Sequence, residues 1–104
     1  MARIAILGAG NGGCAAAADL TMRGHSVALY ELPEFAHVLN PIMERGGIEI
    51  VDQGFAQVDT ITGDIAEAMS GADYVFNPVP AFAHEVFART CAPFVESGQT
   101  LVIG

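Results

Sequence analysis

An apolar run, Arg3-Ile-Ala-Ile-Leu7, that opens straight into Gly8-Ala-Gly-Asn-Gly-Gly13 leaves a chain few ways to fold. The run is long enough for one buried strand. The glycines have the spacing G-x-G-x-x-G, an alanine-rich stretch of helical character follows, and a second apolar run, Ser26 to Tyr30, ends on an acid, Glu31. Glu31 lies 18 residues beyond Gly13, close to the offset of about 20 at which a strand-turn-helix-strand unit presents a carboxylate to a bound dinucleotide.

Each position in the turn has a physical task. Gly8 allows a sharp exit from the strand through dihedrals that a Cβ would forbid. Gly10 removes the side chain that would keep a diphosphate away from the backbone, and Gly13 lets the helix pack close to the strand, with Ala15 to Ala18 keeping that contact thin. The first N–H groups of the helix lack intrahelical partners and carry partial positive charge, which suits an anion. Asn11 tolerates left-handed backbone and Gly12 leaves the rim bare. Gly8, Ala9, Gly10, Asn11, Gly12 and Gly13 are therefore the expected cofactor-binding loop.

Glu31 selects between cofactors. A carboxylate at the end of the second strand accepts hydrogen bonds from adenosine ribose hydroxyls, whereas a 2′-phosphate there would meet like charge. Leu32-Pro-Glu-Phe-Ala36 supplies no cation to offset it. NAD is expected, with NADP disfavoured.

Composition narrows the partners. The formal charge is −8, from four arginines against twelve acids with no lysine. Such a surface repels nucleic acid and anionic lipid. The apolar run after Met1 is shorter than the roughly 7–15 residues of a secretory h-region, and no stretch approaches the roughly 20 of a membrane span. A cytoplasmic location is the expectation. Cys14 and Cys91 read as small buried apolar residues rather than a pair. The isolated His25, His37 and His84 form no metal constellation: His25 reads as solvated or structural, His37 as a surface residue and His84 as a surface or substrate-side polar residue.

The rest of the 104 residues reads as one α/β domain. A first helix is predicted over 11–24, capped by Gly24. A second is predicted from Pro33 to about Arg45, with Phe35, Val38, Leu39, Ile42 and Met43 as its buried stripe and Pro41 as a break or kink. Gly46-Gly47 stops it, and a small hairpin through Ile48–Ile50 and the stretch after Phe55 leads into a third strand around Asp59–Thr62. Asp64 and Glu67 resemble a capping box for a short helix. A fourth strand, Asp73–Asn77, ends in Asn-Pro-Val-Pro80, from which a helix starts with Phe82, Val86, Phe87, Cys91 and Phe94 inward and Glu85–Arg89 as an exposed pair. Pro93 interrupts this helix, and Thr100–Ile103 forms a fifth strand.

Strands alternating with helices predict a Rossmann-type, doubly wound, mainly parallel sheet of about five strands with a small hairpin insertion. Its ligand crevice lies at the strand carboxyl ends where strand order reverses. The loops Gly8–Gly13 and Asn77–Ala81 are expected to face one another there, with Val79, Pro80 and Ala81 walling the nicotinamide half.

Four segments add a resemblance: Gly8-Ala-Gly-Asn-Gly-Gly13, Leu29-Tyr-Glu-Leu-Pro-Glu34, Glu44-Arg-Gly-Gly-Ile48 and Val79-Pro-Ala-Phe-Ala-His84. Across essentially the whole chain the sequence resembles the amino-terminal domain of the octopine/nopaline (opine) dehydrogenases. The resemblance implies NAD-dependent reductive condensation of an amino acid with a 2-oxo acid, in a cleft shared with a helical second domain that carries the acid/base histidine. None of the chain's own residues is expected to be catalytic, and the chain is expected to be a piece of a longer enzyme that self-associates when isolated. The alternatives are a domain like those of glycerol-3-phosphate dehydrogenase or ketopantoate reductase, and a stand-alone NAD-sensing module.

Overall fold

The computed structural model describes residues 1–103, apart from the side chains of Ala81 and Ile103. Its strands are β1 (Arg3–Leu7), β2 (Ser26–Tyr30), β3 (Gly47–Ile50), β4 (Gly54–Gln57), β5 (Thr60–Thr62), β6 (Tyr74–Asn77) and β7 (Thr100–Ile103). The α-helices are α1 (Asn11–Met22), α2 (Asn40–Arg45), α3 (Ile65–Met69) and α4 (His84–Cys91). Five strands form a parallel sheet in the order β5-β2-β1-β6-β7, while β3 and β4 pair antiparallel as a separate hairpin. The chain steps outward from β1 through β2 to β5, returns to lay β6 against the other side of β1, and steps outward again. Strand order therefore reverses between β1 and β6, and their carboxyl ends diverge around a crevice.

A strand covered on both faces needs apolar residues on both, and β1 and β2 have them. Ile4 and Ile6 join Ala17, Val27, Leu29, Leu39 and Val58 under α1 and the hairpin. Ala5 and Leu7 join Ala28, Tyr30, Ala68, Met69, Val75, Phe87 and Cys91 under α3 and α4. Tyr30 and Phe87 meet edge to face with centroids 6.5 Å apart, fastening α4 to the sheet beside the site. At the opposite end Arg3 reaches Ser26 Oγ (2.8 Å), Asp59 Oδ2 (3.0 Å) and Thr60 Oγ1 (3.2 Å), tying the amino ends of three strands together.

Three local expectations need correction. Residues 33–45 are not one helix: a 3-10 segment, Pro33–Leu39, precedes α2. Pro41 has no N–H to give an upstream carbonyl, so it sits in the first turn of a new helix. Of the stripe expected there only Leu39 is buried, whereas Phe35, Val38 and Met43 are exposed. Pro80 likewise does not begin α4, because a 3-10 turn at Ala81–Ala83 intervenes. That turn swings Phe82 into solvent at 89 % exposure and leaves Phe87 and Cys91, one turn apart, as the buried contacts of α4. Finally, Gly47 belongs to β3 rather than to a helix stop, since a Cβ there would lie 2.0 Å from the Ala56 carbonyl across the hairpin.

Other details agree. Gly24 has φ 95° just past α1, in the left-handed region. The Asp64 carboxylate caps α3 by accepting from Ala66 N at 3.0 Å, although the Asp64 N–H donates to Thr62 Oγ1 at 2.9 Å where a full capping box would use Glu67. Glu85 and Arg89 form their exposed ion pair along α4.

Candidate functional site: the glycine loop and its carboxylate

The loop after β1 is held at both ends and open in its middle. Gly8 has φ 110°, and its N–H donates to the Tyr30 carbonyl at 2.8 Å. An added Cβ on Gly8 would lie 2.6 Å from Val79 Cγ1. Gly13 faces inward, and a Cβ there would lie 1.7 Å from the Gly8 carbonyl oxygen. Its partner is thus the mouth of the loop more than the strand, so the loop closes on itself only because both positions are bare. Of the alanines expected to thin this contact, Ala17 and Ala18 are buried, Ala16 is half-buried and Ala15 is exposed.

Gly10 behaves differently. It is exposed, has φ −76° and ψ −169°, and a Cβ built on it meets nothing within 4 Å. Nothing in the fold requires glycine at Gly10, which leaves open space above the backbone. Gly10 is also the N-cap of α1 and supplies no side-chain cap. The first intrahelical bond is Cys14 N to Gly10 O at 2.9 Å, so the N–H groups before Cys14 have no partner in the helix ladder. Gly10, Asn11 and Gly12 are all exposed, whereas Ala9 is buried and its N–H is already engaged.

That N–H is engaged by Glu31. Glu31 is only 8 % exposed. Oε1 accepts from Ala9 N at 2.8 Å and Oε2 from Leu32 N at 2.9 Å. A carboxylate has about four acceptor sites, so each oxygen retains one for a further donor. The loop from β6 completes the rim. Val79 N donates to Asn77 O at 3.0 Å in a tight reversal that places the half-buried Val79 beneath Gly8. The Pro78 carbonyl stands 3.2 Å from where a Gly12 Cβ would be. The two loops expected to face each other do so and touch, through Val79 and also through Pro78, which pattern reading had not singled out. Pro80 is exposed beside them, and the side chain of Ala81 lies outside the described residues.

Asn77, at the carboxyl end of β6, is buried, and its Oδ1 has no hydrogen-bond partner. It borders a cavity of about 240 Å³ between α4 and β7, lined also by Leu7, His84, Phe87 and Leu101. Gly10, Asn11 and Gly12 do not line this cavity, which is distinct from the exposed surface they present. His25 is structural, its Nδ1 accepting from Ala2 N at 3.0 Å.

Burial, reinforced by the Glu31 charge, pushes the Cys14 thiol above its ordinary range. Burial likewise raises Cys91, and burial then Glu31 raise Tyr30. These groups keep their protons longer folded than unfolded. Their contribution is fully present below the ordinary thiol value of 9.0 and is lost as pH climbs through the raised values. The melting temperature is accordingly expected to fall as pH is taken above 9.0, and alkylation of Cys14 should accelerate at a higher pH than that of a free thiol. A flat melting temperature across that range would contradict the burial seen for these groups.

A reversed parallel strand order, a self-closed glycine turn and a carboxylate at the second strand's end define a Rossmann-type α/β domain of the dehydrogenase class. The profile of the NAD-dependent glycerol-3-phosphate dehydrogenase N-terminus matches residues 3–104, and the chain belongs to that family. Among curated relatives, the opine dehydrogenase of Arthrobacter sp. (strain 1C) is 35 % identical over 95 % of the chain and 28 % of its own length. A glycerol-3-phosphate dehydrogenase [NAD(P)+] of Lactobacillus delbrueckii subsp. bulgaricus is 33 % identical over 98 % of the chain and 30 % of its own length. The octopine dehydrogenase structure with NADH and agmatine superposes with a TM-score of 0.84 at 26 % identity, over 99 % of this chain and 28 % of that one. The chain thus spans under a third of these relatives. No helix among the described residues is long and apolar enough to cross a membrane.

Proposed function

We propose that the chain binds NAD(H) as the dinucleotide-binding part of an opine-type dehydrogenase. The observation that carries this reading is the unobstructed backbone at Gly10–Gly12, over the uncapped start of α1 and beside the Glu31 carboxylate. The N–H groups there suit the diphosphate. The remaining acceptor sites of Glu31 suit the adenosine ribose, and Val79, Pro80 and Ala81 wall the nicotinamide half. A 2′-phosphate would meet Glu31 with Glu34 close by in sequence and no cation among residues 32–36. Bound nicotinamide supplies a hydride.

In the whole enzyme the amine of an amino acid condenses with a 2-oxo acid, releasing water, and the resulting imine is reduced. Similarity to the Arthrobacter opine dehydrogenase, and to octopine dehydrogenase in its structures with NADH and pyruvate and with NADH and L-arginine, supports that substrate class. The family match and the Lactobacillus relative support a second reading, oxidoreduction of glycerol 3-phosphate. A cytoplasmic enzyme is the proposed setting. The exposed Val95, Leu101 and Val102 support self-association of the domain when isolated.

Calorimetric titration of the full-length protein with NADH and NADPH tests the cofactor. NADH is expected to bind at least about tenfold more tightly, the equivalent of one charge-assisted hydrogen bond. Equal affinities would remove the account of Glu31. Oxidation of NADH with an amino acid plus a 2-oxo acid, against oxidation with the ketone of glycerol 3-phosphate, separates the two substrate classes.

A further inference from the structure

We propose that Glu31 is a positioning residue that locks the glycine loop in its ligand-receptive shape before any ligand arrives; for the ligand, this rests on the dinucleotide reading above. An acidic residue only 8 % exposed is ordinarily paired with a cation. None of the ion pairs among the described residues involves Glu31. Its charge is met instead by two backbone donors, Ala9 N at 2.8 Å and Leu32 N at 2.9 Å, one on each oxygen. Because the two donors meet different oxygens, a carboxamide in this place would turn its NH2 group toward one of them, donor against donor.

The location of the bond matters as much as its strength. Ala9 lies between Gly8 and Gly10, the residues with the most conformational freedom to lose on ordering. The Ala9 peptide is held at its far side too, because Cys14 Sγ donates to the Ala9 carbonyl at 3.3 Å. With Ala9 fastened through both its N–H and its carbonyl, the N–H groups beyond it keep their direction with no phosphate present. Loop-ordering entropy is then met on folding and does not subtract from affinity.

The test uses Glu31→Gln in the full-length protein and calorimetry with ADP and with 2′,3′-dideoxy-ADP, which keeps the diphosphate but has no ribose hydroxyl. Removing a negative charge near an anion site should by itself strengthen diphosphate binding. A lock predicts the opposite sign: the variant binds 2′,3′-dideoxy-ADP about tenfold more weakly than wild type. Unchanged or tighter dideoxy-ADP binding, with only ADP weakened, would reduce Glu31 to a ribose acceptor and overturn the lock. The ligand-free wild type gives a measurement that does not depend on the variant folding. Its Ala9 amide should resist hydrogen exchange as strongly as those of β1, and rapid exchange at Ala9 would overturn the lock. If wild type binds neither ADP nor its dideoxy form, the dinucleotide reading fails, and the Ala9 exchange rate still decides the lock.

Discussion

Gly13→Ala is expected to cost about 3 kcal/mol or more, as a methyl group forced into a space with no room to yield. The added carbon would sit 1.7 Å from the Gly8 carbonyl oxygen and 2.8 Å from its carbon. Both are backbone atoms, so no side chain can swing aside, and α1 would have to lift off the loop. That lift would pull Ala17 and Ala18 from the core. Against a total stability of about 5–15 kcal/mol for a domain, the loss is a large fraction. A shift of the urea midpoint measures it; an unshifted midpoint would mean that α1 and the loop do not meet as described.

Gly10→Val should do the reverse, sparing the fold and weakening the ligand. Its backbone is extended, its surroundings are empty and it caps α1 without a side chain, so stability should change by no more than about 1 kcal/mol. A branched side chain there would stand between the diphosphate and the N–H groups of the helix start. Loss of one or two charge-assisted hydrogen bonds corresponds to about a hundredfold weaker NADH binding. A melting curve and a calorimetric titration of the same sample check both halves. Wild-type affinity in this variant would end the reading of the loop as a diphosphate site. The pair of variants separates two reasons for glycine that look alike in a sequence: the fold needs Gly13 bare, and the proposed diphosphate site needs Gly10 bare.

The parallel βαβ pattern was legible because each part of it is local. Apolar runs of strand length, the glycine spacing, the cap at Asp64 and the turn at Gly24 depend on near neighbours, and all appear where pattern reading puts them. Boundaries near prolines were less legible. Apolar residues at 35–43 look like a helix stripe, but Pro41 divides them, and Leu39 alone among the large ones there is fully buried. Phe82 is exposed for a similar reason: it sits within a 3-10 turn of three residues, out of helical register with the buried Phe87 and Cys91.

The site divides along the same line. From the residues alone come the strand, the glycine turn, the helix and the terminal acid, because backbone sterics and hydrogen-bond periodicity act within a few positions. Folding settled the uses to which those parts are put. Glu31 reaches back 22 positions to Ala9, and Pro78 and Val79 meet Gly12 and Gly8 from the end of β6, which lies beside β1 in the sheet but some 70 residues on in sequence. Such contacts depend on how separate segments stack in space, and a one-dimensional pattern carries no distance between them.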